Sequence, residues 1–514
     1  MKNFRLFALS VVMFHLSTVS AADVFVRYGA DGTGDGSSWD SPLTFNQFRT
    51  LFNGSFEAGT TFYLSAGTYK ITTKLSTTNN FTLKGGYPTT LTGTSVPTPD
   101  GKTPTVFKGD GTIMGLLEIN MSSTTTYAND PVVIDGINFT NAQGAAGAAD
   151  GALTVNNSQN LTVSNCNFYE NVSTARGITA YLVNTTARFV DCTFHNNSAA
   201  TYGAALKLNA TNGTKGKTTL ERCLIYENAA SGYPTYGTAI YVMNAKYLQV
   251  VNSAIFANTS ETSGKHRKNG AIYMTTKNNG SSGQYANQLM VLNSTIAGNN
   301  HHQIYQDGTL NLQVANSVIV CPTDNNNESN AAIFCGTIDA ENSFVSEGYN
   351  VLGSVVTGAS DDTSASTTEA TPTLQATDIQ KNGEGLYYNF NRTFGYGKDN
   401  VSYETIQFPI APNGVMSVSD AQTLATSWSI PATVDLSVDN EASIRIATKP
   451  GAFDPLTKTV TIAEQYATFY SDYGYVMPEN VEGAIVTSTG DYSIVSFDYN
   501  FLAGEFIPGG TPLV

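Results

Sequence analysis

The sequence predicts an all-β chain wound as a parallel solenoid and followed by a smaller β-rich module. Three observations predict it. A motif of the form small–any–Phe/Ile–any–any–Asn recurs between residues 165 and 299 at a spacing near 30, a period typical of solenoid repeats. Inside each period, short runs with apolar residues at alternate positions are separated by Gly, Asn, Ser and Thr, the pattern of brief strands and tight turns. Only 13% of the 514 residues are charged and 41% are apolar, which excludes coiled coils and wholesale disorder. The net charge of −15 also argues against nucleic acid as partner, because phosphate neutralisation needs a basic face.

Residues 1–21 read as an export signal. Lys2 and Arg5 form a positive start, Leu6 to Leu16 an apolar stretch, and Val19-Ser20-Ala21 a small-residue cleavage site. Eleven residues are too few to span a bilayer, and no other stretch looks transmembrane. The mature chain is expected to start near Ala22 with a net charge of −17, and to be a secreted or surface-exposed monomer.

The repeats locate the core. Asn165-Cys-Asn-Phe-Tyr-Glu-Asn171, Asp191-Cys-Thr-Phe-His-Asn-Asn197 and Arg222-Cys-Leu-Ile-Tyr-Glu-Asn228 align, followed by copies ending at Asn258 and Asn299. A second motif interleaves with them: Gly151-Ala-Leu, Gly177-Ile-Thr-Ala, Gly203-Ala-Ala-Leu, Gly237-Thr-Ala-Ile and Gly270-Ala-Ile. Strand alternation turns Cys166, Phe168, Cys192, Phe194, Cys223 and Ile225 inward. The first three cysteines are therefore expected as small buried residues stacked rung on rung, in place of Ser253 and Ser294. The recurring asparagines are expected in equivalent turns, where Asn tolerates a left-handed backbone and satisfies groups of the next rung. Cys321 and Cys335 bracket a polar loop, and a disulfide between them is an open possibility.

These repeats resemble single-stranded right-handed parallel β-helix proteins of the pectin-lyase-like superfamily, and among them the polymorphic outer-membrane proteins. The opening segment Val24–Asp40 is similar to the one that begins many such helices, with Trp39, Phe45, Phe48 and Leu51 expected to cap the first rung. Thr61–Tyr69 and Phe81–Tyr87 resemble first strands, and 439–454 a closing segment. The resemblance implies a β-helix over 22–455, with an N-terminal cap at about 23–60 and a polar solvent loop at about 357–375. Residues 456–514 resemble a small β module of secreted surface proteins, one that the final residues Ile507–Val514 leave in mid-strand. Because this fold hosts lyases, hydrolases and adhesins, the resemblance specifies architecture more than chemistry.

The chemistry is sparse. Hydrolases of the fold use clustered aspartates, and lyases a base beside acids; the sequence shows neither, since no arginine is seen to share a rung position with acids. Asp31, Asp35 and Asp40 lie in a Gly-rich stretch for which a Ca²⁺ loop is one reading and a plain turn the other. No other cofactor or metal is expected. One outward column does stand out: Thr154, Tyr181, Lys207, Tyr241, Tyr273 and Tyr305 follow successive Gly motifs. Beside it fall the bases Lys265, Arg267 and Lys268 and the pair His301 and His302. Tyrosines on a pleated face either pack on their rung neighbours or offer a platform for sugar rings. The expectation is a non-catalytic, adhesin-like protein binding polysaccharide or cell-surface glycan through Tyr241, Tyr273 and Tyr305, with the bases and histidines favouring acidic ligands. The alternative is a polysaccharide lyase or glycoside hydrolase acting on an acidic polysaccharide.

Overall fold

A computed structural model describes residues 23–358, apart from 100–102, 122–128, 145–150, 175–177, 212–214, 232–235, 261–268, 276–286, 300, 322–330 and 338–343. It also describes 368–370, 372–380, 416–434, 436 and short strands at 391–392, 401–402, 475–476, 483–489, 495–501 and 506–507. The expected signal at 1–21 and the boundary at 455/456 lie outside these residues.

Each turn of the chain contributes one strand to each of three long faces. One turn runs through Gly151–Asn156, Leu161–Ser164 and Asn167–Tyr169. Successive turns pair in register and in parallel: Leu161 with Ala187, Ala187 with Thr218, and Thr218 with Leu248. Among the described residues this builds three sheets of 11 strands each. Sheet A starts at Asp23–Val26, sheet B at Gly67–Ile71 and sheet C at Leu75–Thr77. The architecture is a parallel β-helix. Beyond residue 456 the described strands Gly483–Thr489 and Val495–Phe501 form an antiparallel pair. The expected polar loop returns as a strand, Thr368–Ala370, antiparallel to Val355–Thr357.

Inside, like stacks on like. Phe139, Phe168 and Phe194 sit one above another with centroids 4.8 and 4.6 Å apart and nearly parallel rings. Between sheets A and B the chain turns on a single residue of left-handed backbone at Asn165, Asp191, Arg222, Asn252, Asn293 and Asn316 (φ 48–52°). One such residue reverses the facing of its neighbours, so Cys166, Cys192 and Cys223 enter the core directly after it. All three are fully buried free thiols. Each donates S–H to the carbonyl two residues before, as Ser253, Ser294 and Ser317 donate O–H at the same position. Burial raises the pKa of Cys192 and Cys223 well above that of an ordinary thiol.

A second polar ladder runs beneath sheet B. The side-chain Oδ1 of Asn197 accepts the backbone and side-chain N–H of Asn171, and Asn228, Asn258 and Asn299 repeat this upward. Gln303 closes it by accepting both N–H groups of Asn299. These asparagines serve the next rung as expected, but they are not the left-handed residues. That conformation falls one position earlier, on Glu170, Asn196, Glu227, Ala257 and Gly298, because the amide must point inward to reach its neighbour.

Two helices interrupt the strands. Helix α1 (Phe45–Asn53) is held by a capping box of Thr44 and Gln47 and buries Phe48 and Phe52 against Phe62 and Phe81 at the N-terminal end. Trp39 is not part of that cap. It packs outside sheet A with Phe25, Tyr63 and Tyr87, because Phe25 and Tyr63 alternate with the inward Val24, Val26 and Phe62. Helix α2 (Val418–Ser427) and its flanks lie across the outer face of sheet A, burying Trp428, Ile430 and Val434 with Val251, Met290 and Leu292.

Asn228→Ala strands the buried backbone N–H of Asn197, which costs about 1–3 kcal/mol for that group alone. Chemical denaturation should show a larger loss for it than for Asn160→Ala at an exposed position of ordinary backbone, and equal losses would refute the ladder's role. Native protein treated with a small thiol reagent should leave Cys166, Cys192 and Cys223 unmodified until it unfolds.

Candidate functional site

The outward column of sheet C forms where the sequence places it. Thr154, Tyr181, Lys207, Tyr241, Tyr273 and Tyr305 are register partners on consecutive rungs, and Phe334 continues the column. Its rings are not an open platform. Tyr241, Tyr273, Tyr305 and Phe334 stack at 5.5, 5.1 and 5.0 Å with interplanar angles of 17°, 10° and 11°. A ring stacked on both sides spends its faces on its neighbours, and Tyr241, Tyr273 and Tyr305 are 6%, 2% and 0% exposed. The expectation that they present flat faces to a sugar is therefore corrected: they form a buried cluster of their own outside the main core. Burial raises the pKa of Tyr241 and Tyr273, and the Asp307 carboxylate adds to this in both.

A second layer of tyrosine lies over the first. Tyr202 and Tyr236 are half-buried, joined by a parallel bridge and stacked at 5.7 Å. Tyr202 also meets Tyr241 at 5.0 Å, and Tyr236 meets Tyr273 edge-on at 5.3 Å. Lys207 occupies the cage beneath, its ammonium 5.0, 4.3 and 5.6 Å from the rings of Tyr181, Tyr202 and Tyr241, a cation–π arrangement. Each tyrosine of the pair directly precedes the glycine of a Gly-Ala or Gly-Thr-Ala motif. Gly237 has φ 74°, and an added Cβ would lie 2.4 Å from the Ile240 carbonyl, so the chain doubles back here and sets Tyr236 above the strand. Tyr202 and Tyr236 recur at matching motif positions, a legible signal that the strand-alternation reading passes over.

The accompanying residues divide. Lys265, Arg267 and Lys268 lie outside the described residues. His302 is buried beside Tyr305 and Phe334 at 6.0 and 5.0 Å, where its Nδ1 accepts the Ala331 backbone N–H at 3.1 Å. It is a packing residue rather than a groove residue. The half-buried His301 contributes its carbonyl to Gln303 and Cys321. Cys321 and Cys335 are separate free thiols, so the disulfide reading is withdrawn. Cys335 belongs to the main core, and burial pushes its pKa up to about 12.

Asp31 and Asp35 of the opening segment close separate local turns, whereas Asp40 bonds across 53 residues of chain. Asp31 accepts from Thr33, Asp35 from Ser37, and Asp40 from the Gly93 N–H, and local hydrogen bonds lower the pKa of Asp31 and Asp35. The bonds of Asp31 and Asp35 support the turn reading.

An arginine–acid cluster does occupy adjacent rungs, contrary to the sequence expectation. Asp191 and Arg222 stand at matching turn positions, where Arg222 binds both oxygens of Asp191 at 3.0 and 2.8 Å. Arg222 also pairs with the fully buried Glu221, whose other oxygen accepts from Arg188. Burial works against the charge on Arg222, but Asp191 and Glu221 outweigh it and its pKa rises. A guanidinium so held is a fixed cation rather than a proton acceptor, and the carboxylate oxygens are engaged by arginine. Arg188 reaches on to Thr433 at 2.6 Å, tying this cluster to the segment that carries α2.

Residues 118–252 match the family described as right handed beta helix region. With the topology above, this defines a right-handed parallel β-helix protein. No curated protein matches the chain. Among solved structures it is similar to pectate lyase Pel9A, at 12% identity over 66% of this chain and 77% of that one, TM-score 0.36. It is also similar to the A-module of the Azotobacter vinelandii mannuronan C-5 epimerase AlgE4, at 13% identity over 57% and 85%, TM-score 0.24. A mannuronic acid specific polysaccharide family 6 lyase from human gut microbiota matches at 10% over 60% and 74%, TM-score 0.22.

Arg222→Ala leaves Glu221 buried with one partner fewer and Asp191 without its bidentate clamp. Breaking a buried pair in this way costs about 3–5 kcal/mol, and thermal unfolding should fall accordingly while Arg49→Ala stays near wild type.

Proposed function

We propose that the protein is exported and exposed at the cell surface or secreted, and that it binds glycan without cleaving it. The binding face is the outer side of sheet C at Tyr202 and Tyr236. The observation that carries this reading is the half-buried tyrosine pair, held one rung apart on a rigid bed of stacked rings. Such rings offer an apolar body and a hydroxyl to a sugar while losing little rotamer freedom. Lys265, Arg267 and Lys268 add a preference for acidic polymers in an otherwise anionic chain.

A glycan array probed with wild type, Tyr202→Ala/Tyr236→Ala and Lys265→Ala/Arg267→Ala/Lys268→Ala tests this. The aromatic variant should lose neutral and acidic ligands alike, at least tenfold, with little change in Tm. The basic variant should lose acidic ligands alone and show a flatter salt dependence. Wild-type binding by the aromatic variant would overturn the site. New unsaturated or reducing ends released from uronic polysaccharides would overturn the non-catalytic reading in favour of a lyase or hydrolase.

A further inference from the structure

A second outward column runs along sheet B, on a face that Tyr202 and Tyr236 do not share. Lys70, Lys108, Thr140, Tyr169, His195 and Tyr226 are register partners on consecutive rungs. Each directly follows a residue of the main core, Tyr69, Phe107, Phe139, Phe168, Phe194 and Ile225 in turn, so strand alternation turns it outward. The two lysines are exposed and directly opposite each other. Like charges so placed destabilise a sheet, and among the described residues neither lysine forms an ion pair. Asp110 lies close by but closes its own turn, accepting from the N–H and hydroxyl of Thr112. Those two bonds are the main cause of its lowered pKa, and Lys70 adds a smaller one. In a chain of net charge −15, packing gives no reason for this pair of cations.

The column changes character two rungs on. Tyr169 meets His195 at 5.5 Å and 8°, and His195 meets Tyr226 at 5.0 Å and 4°. Tyr169 is the end of this stack and is half-buried. On the lysine side the next rung carries the small, buried Thr140, so no ring of the column covers the other face of Tyr169. Lys108 and Tyr169 therefore stand about 9.6 Å apart along the axis, at about 4.8 Å per rung, with Thr140 as the floor between them. We propose that this strip is a second binding site, for an acidic oligosaccharide lying along the solenoid axis. Its anionic groups meet Lys70 and Lys108, and a sugar ring lies against Tyr169. Lysines act as point charges, so carboxylated and sulfated sugars share the chemistry required. Glu170, exposed at the left-handed turn just after Tyr169, favours a ligand whose charge is concentrated at the lysine end.

The test measures binding of a galacturonate oligosaccharide, a heparin oligosaccharide and a neutral cello-oligosaccharide by isothermal titration at low salt. The starting protein is the full chain carrying Tyr202→Ala/Tyr236→Ala, which removes the face on sheet C from the signal. It should bind the acidic probes at least tenfold more tightly than the neutral one. Adding Lys70→Gln/Lys108→Gln should weaken acidic binding at least tenfold and flatten its salt dependence, with Tm unchanged. Adding Tyr169→Ala should weaken it with the salt dependence kept, and Glu170→Gln should tighten it. Lys217→Gln, on sheet A, should change nothing. Binding of one acidic probe only would support the site and name its anionic group. Acidic binding that survives the lysine changes would overturn it. So would an absence of acidic binding by the starting protein, a result that leaves the reading of sheet C intact if wild type binds.

Discussion

The interaction on which this molecule depends is the contact of each residue with its counterpart one rung away. Parallel strands bring identical backbone positions to about 4.8 Å, a separation that suits ring on ring, amide on amide and thiol on hydroxyl. Phe168 rests on Phe139 and carries Phe194; Asn197 takes the N–H of Asn171 and hands its own to Asn228. A buried polar group is tolerable only when satisfied, and here the repeat supplies the partner. The solenoid thus holds side-chain amides inside a core that would otherwise exclude them.

The same rule governs the outside. A tyrosine that recurs at every rung finds its best surface on the tyrosine below, so Tyr241, Tyr273 and Tyr305 close on one another and leave no face for a ligand. Surface chemistry then moves to residues outside the column: the turn tyrosines Tyr202 and Tyr236, stacked on each other above it but half-exposed, and the turn charges Asp191 and Arg222. Repetition makes scaffold, and departures from it make candidate sites.

That division explains what was legible. Inward residues follow from alternation, so Cys166, Phe168, Cys192 and Phe194 are placed by pattern alone. The outward column is equally readable in position, but burial on an outer face depends on what packs over it, and strand periodicity carries no information about that. The left-handed residues were misplaced by one because Asn is both the commonest left-handed side chain and the better ladder amide. Asp191 and Arg222 precede aligned cysteines, and Thr44-Phe-Asn-Gln47 spells a helix start; both signals sit in the sequence and are hidden by attention to strands. The docking of α2 on sheet A was beyond reach, since Gln249 and Trp428 meet across 179 residues with no shared pattern.

The asparagine ladder has a direction. Every amide accepts from the rung before and donates to the one after, so each interior rung presents the same socket below and the same plug above. Deleting or duplicating one whole repeat rejoins like to like within the ladder and leaves its own bonds intact. Only the ends are particular: the Ala142 N–H opens the series on Asn171, and Gln303 terminates it from within its own rung. The length of the ladder, though not of the whole solenoid, is thereby set by its terminators and not by its interior. A lineage can lengthen or shorten this protein by single rungs, as beads are added to a string, while the clasps stay where they are.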